Sequence, residues 1–106
     1  MSKHSELTDL IRKGESQVAL GEALERLQRN QDFKLVMSHL TQTRLVELHS
    51  NLAKLQVDSG EYRSTVRNLD ALSIFQCELS SIHEAAANAR ASVREARLMQ
   101  DELHED

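Results

Sequence analysis

After Gly60 the sequence contains no further glycine, and it contains no proline at all. These are the two strong helix breakers, so nothing from Gly60 to about Leu103 interrupts a helix. About 43 residues at ~1.5 Å each make one helix of roughly 65 Å. That is far beyond the three to four turns usual in globular proteins, and any fold for this chain must accommodate it. The remainder has the same character: the strong helix formers Leu, Glu, Ala and Arg are among its commonest residues, and the aromatic residues are Phe33, Tyr62 and Phe75 alone. The expected class is all-α, a helical hairpin or three-helix bundle with a long, coiled-coil-like C-terminal helix. A single α-helical domain over residues 1–106 is expected, with helices at about 5–29, 32–56 and 60–104.

The first pattern places Leu7, Leu10, Ile11, Val18, Leu20, Leu24 and Leu27 along a helix that Ser5 can cap with its hydroxyl. Gly14 weakens it by about 1 kcal/mol relative to alanine, so a frayed or separate turn is expected before Glu15. Asn30, Gln31 and Asp32 are polar punctuation. A second stripe follows in Phe33, Val36, Met37, Leu40, Leu45, Leu48, Leu52 and Leu55. Spacings of three and four recur, with Val36 and Met37 side by side, but Leu40 to Leu45 is a step of five, which predicts a kink or short break at Thr41–Thr43. Asp58 and Glu61 have capping-box spacing before the long helix, and Gly60 offers easy backbone turning.

Within the long helix a 3.5-residue repeat appears. With Leu72 at heptad position a, the a series is Leu72, Leu79, Ala86, Val93 and Gln100. The d series is Phe75, Ile82, Ala89, Ala96 and Leu103, and only Gln100 among the ten is polar. This is the signature of a bundle or coiled-coil seam. Tyr62, Val66 and Leu69 follow a shifted stripe expected to pack on the first two helices. A buried Leu, Phe or Ile contributes ~1.5–3 kcal/mol, and alanine far less. The bulky end is therefore expected in a core. The end made by Ala86, Ala89, Val93 and Ala96 is expected to dock a partner helix whose backbone comes close.

Chemistry-bearing patterns are sparse. His4, His39, His49, His83 and His104 include no HExxH pair, and Cys77 stands six positions from His83, so neither a metal site nor a cofactor is expected. Ser80 and Ser81 near His83 lack a nucleophile elbow or oxyanion turn, and no catalytic residue is assigned. Gly14, Gly21 and Gly60 are isolated, which leaves no phosphate-cradling loop. Arg63, Arg67, Arg90, Arg94 and Arg97 read as a solvated face balanced by acids. The net charge of −4 argues against nucleic acid as a partner. One cysteine permits no internal disulfide, no apolar run approaches a membrane span, and the N-terminus lacks a signal-peptide core. The terminal ELHED opposes the helix dipole and is expected to fray unless a partner holds it.

The stretches ALERLQRNQDFKLVM (Ala23 to Met37) and VRNLDALSIFQCELSSI (Val66 to Ile82), with an alanine-rich and acidic closing helix, carry a likeness. Their layout, over about Ala23 to Glu95, resembles small helical proteins encoded among the head and tail genes of tailed bacteriophages. The resemblance implies a non-enzymatic structural or assembly protein. It would act by self-association or by docking to capsid, portal or tail proteins, in the virion or in the host cytoplasm during assembly. The alternative expectation is a small helical chaperone or adaptor that holds a partner's amphipathic helix.

Overall fold

The structure, a computed structural model, describes residues 2–104, apart from the side chain of His104. The chain is all-α, and the described residues contain no strand. Helix α1 spans Lys3–Arg29, α2 Gln31–Ser38, α3 Arg44–Lys54 and α4 Gly60–His104, with a π-helical turn at His39–Thr43 between α2 and α3.

Local chemistry sets each boundary. Helix α1 starts two residues earlier than expected because Ser2, not Ser5, is the cap: its hydroxyl accepts from the Ser5 N–H at 3.2 Å and its carbonyl from Glu6 N–H at 3.2 Å. The helix then runs unbroken through Gly14, so the expected frayed turn before Glu15 is absent. Gly14 is buried, and packing outweighs its low propensity. Only Asn30 separates α1 from α2. Its extended backbone turns the chain, and its side chain accepts from Phe33 N–H at 3.0 Å.

The expected break at Thr41–Thr43 is a widening instead. Arg44 N–H donates to the His39 carbonyl, a five-residue step. This matches the five-residue step of the apolar stripe from Leu40 to Leu45: one extra residue is absorbed by a π turn and the helical path continues. The Thr41 hydroxyl donates to the Met37 carbonyl at 2.7 Å within this turn. The path ends at Lys54, short of the expected residue 56, where Leu55 goes extended.

Helix α4 is capped by Ser59, whose hydroxyl accepts from Tyr62 N–H at 3.1 Å, rather than by Asp58. Asp58 has φ 67° and is the left-handed residue of the connection, a role expected of Gly60. Aspartate tolerates that conformation better than most residues with a Cβ. Arg63 Nη1 holds the turn by donating to the Asp58 carbonyl at 2.7 Å. At the other end α4 continues through His104; the rest of the tail expected to fray, Glu105 and Asp106, lies outside the described residues.

The chain divides into two compact units. The first joins α1 up to Arg26 with α4 from Ser80 onward, as an antiparallel helical hairpin. The second is Leu27–Leu79, in which α3 lies along the first half of α4. There Leu48 is buried at 3% exposure, and Leu40, Arg44 and Leu48 face Asn68, Ala71 and Leu72 across one small cavity.

Candidate functional site

The hairpin is built on rungs. A Cβ added at Gly14 would collide with the Val93 side chain, and one added at Gly21 with the Ala86 methyl. Farther along, the Gln100 side-chain amide donates to the Thr8 hydroxyl at 3.0 Å. Gly14 and Gly21 are seven residues apart, as are Ala86 and Val93. The two seams therefore meet in register, with paired residue numbers summing to about 107. Leu7, Gly14, Gly21 and Leu24 of α1 are buried against Ala86, Ala89, Val93 and Ala96 of α4.

This arrangement inverts the division expected from the sequence. Ala86 and Ala96 are each 1% exposed and form the tightest part of the molecule. The helix that comes close to them is the chain's own α1, admitted by glycines that contribute no side chain. Of the bulky seam residues, Leu72, Leu79 and Ile82 are half-buried, and Phe75 is 41% exposed, too open to belong to a core. In sequence Gly14 looks like a weak point of the helix and Gly21 carries no expected role. Their spacing of seven from Leu7, matched to the a series of α4, was the available signal.

The two flanks of the hairpin differ in chemistry. On one, Arg97 pairs with Glu15 and Arg90 with Glu25, the latter at 3.6 Å, around a groove reached also by Val18, Arg94 and Leu98. These side chains are well exposed, so the pairs orient more than they stabilise. The opposite flank carries a groove of about 370 Å³ with Leu10, Lys13 and Gln17 on the α1 side and Ala85, Asn88 and Ser92 on the α4 side. Leu20 stands seven residues beyond Lys13 and Met99 seven beyond Ser92, so both extend this flank; Leu10, Leu20 and Met99 are all exposed.

The second unit also leaves apolar side chains in the open: Leu35 and Val36 of α2, Val46 of α3 and Ile74 of α4. Among the described residues no three His, Cys, Asp or Glu side chains gather as a metal site would require, and no helix is long and apolar enough to cross a membrane. Cys77 is exposed on α4. Arg63, Arg90 and Arg97 of the basic series are engaged within the chain. Compared with family models, with curated proteins and with solved structures, the chain matches none.

Proposed function

We propose that this chain is a non-enzymatic assembly protein that works through its helix faces, of the kind its sequence resembles among tailed-phage head and tail proteins. The observation that carries this is the number of large apolar side chains left in water on regular helices: Leu10 and Leu20 on α1, Leu35 and Val36 on α2, Ile74 and Leu98 on α4 among them. Scattered single residues of this kind are ordinary, but grouped along helix flanks they mark contact surfaces. Further support comes from the small-residue seam, which fixes one helix pair and leaves both of its flanks available. In this proposal the partners are further copies of the chain or capsid, portal or tail proteins, and the setting is the virion or the host cytoplasm during assembly.

The test is quantitative mass spectrometry of purified proheads and finished particles, beside the identity of the genes flanking the coding sequence. A fixed copy number in either particle, with portal or capsid genes adjacent, is the expected outcome. Absence from both particle types would rule out a virion or assembly role.

A further inference from the structure

We infer that the hairpin flank bearing Leu10 and Leu20 docks a second copy of this chain, with α1 of each copy lying over α4 of the other about a two-fold axis parallel to the helices. This rests on the assembly role proposed above and names its first partner.

Shape is the first argument. On this flank α1 presents a ridge, Leu10 at 48% and Leu20 at 54% exposure, while α4 presents a trough of small side chains at Ala85, Asn88 and Ser92. A two-fold parallel to the helices satisfies both at once: Leu20, level with residue 87, enters the other copy's trough, and Leu10, level with residue 97, meets the exposed Met99, apolar against apolar. The rotation that lays α1 over α1 would set ridge on ridge.

Charge is the second argument and is independent of the first. A two-fold parallel to the helices keeps every residue at its own height. Gly14 is level with Val93, so Lys13 of one copy comes to the height of Glu95 of the other, and the contact occurs twice. Neither residue has an ion pair among the described residues. Heptad spacing puts Lys3, seven before Leu10, and Glu6, seven before Lys13, on the α1 side of this flank, so two lysines stand there to one glutamate; Glu95 and Glu102, seven and fourteen beyond Asn88, lie on the α4 side and face no cation of their own strip. A partner of one charge sign would suit one strip and repel the other, whereas a second copy suits both. The opposite flank has already paired Arg90 and Arg97 within the chain.

The experiment is sedimentation equilibrium of the full chain and its variants, with helix content followed by circular dichroism. The parent is expected to be a dimer. Lys13→Glu and Glu95→Lys should each raise the dimer Kd about tenfold or more by setting like charges together. The combined Lys13→Glu/Glu95→Lys chain should return close to the parent. Leu20→Glu should give a monomer of unchanged helicity, because the side chain is exposed in the single copy. Leu98→Glu, in the opposite groove, should leave the mass unaltered. A monomeric parent, a dimer indifferent to both reversals, or one broken by Leu98→Glu instead would overturn the docking mode. A monomeric parent that still enters particles removes this inference and leaves the assembly role. A dimer that obeys the charge swap but never enters particles upholds the inference and removes that role.

Discussion

At the residue scale, the two seam glycines invert the usual expectation for helices. Gly→Ala within a helix normally gains up to ~1 kcal/mol from propensity. At Gly21 the added methyl would fall on Ala86, whose own methyl is fixed to the backbone and cannot turn aside. Gly21→Ala is therefore expected to lower stability by about 1–3 kcal/mol, the usual range for overpacking. Gly21→Ala/Ala86→Gly moves the methyl to the other helix and should recover most of that loss in a denaturant melt; a single variant more stable than the parent would show that the helices stand farther apart. In the second unit, Leu48→Ala should cost about 2–5 kcal/mol, while Leu35→Ala, at 72% exposure, should stay within about ±0.5 kcal/mol. The alanines were legible in the sequence as a close-approach surface. That the approaching helix was α1 was not, because a glycine registers in an apolar pattern only as a gap.

At the element scale, the π turn is the feature the sequence described most closely without identifying. The Leu40 to Leu45 step marked the right residues, but an irregular step is equally compatible with a break, a kink or an inserted residue, and only the Arg44 to His39 hydrogen bond separates these. The turn makes a sharp prediction. Deleting Gln42 should convert the π turn to regular α-helix, leave Leu48 facing α4 and keep the melting temperature at or above that of the parent. Deleting Glu47, one turn later, leaves the π turn in place and rotates everything after it, so its melting temperature should fall well below. The start of α4 gives a second test. Ser59→Ala removes the acceptor for Tyr62 N–H and should cost about 1 kcal/mol. Asp58→Asn, which keeps a residue tolerant of positive φ, should be close to neutral. Sequence placed this boundary within a residue or two but chose the wrong cap, because Asp58 and Ser59 are both good capping residues.

At the scale of the whole molecule, helical class and the length of α4 were legible because nothing in the composition offered an alternative. The division into two units was not, because the heptad repeat of α4 runs through Leu79 and Ser80 without a change of period. Its partners change there instead, from α3 to α1, and partners are a tertiary property. Separate units imply separable responses. Ala89→Leu, placed beside Gly14, should force α1 from α4 at a cost of about 1–3 kcal/mol. Hydrogen exchange should then quicken in α1 and in α4 beyond Ser80, while the amides around Leu48 keep the parent's protection. Ala91→Leu, exposed and off the seam, should leave both patterns unchanged.

The hairpin also has a history in time. Thr8 and Gln100 are 92 residues apart in the chain, and at the ~5–20 residues per second of synthesis roughly 5–18 s pass between the making of one and of the other. The second unit, whose contacts are nearer in sequence, can form during that interval. Helix α1 meanwhile waits with Leu7, Leu10, Leu20 and Leu24 in water, on a segment interrupted by two glycines and too weakly helical to shield them. The seam between α1 and the end of α4 is thus the last to exist, and for those seconds the newborn chain exposes a different apolar surface from the one it keeps.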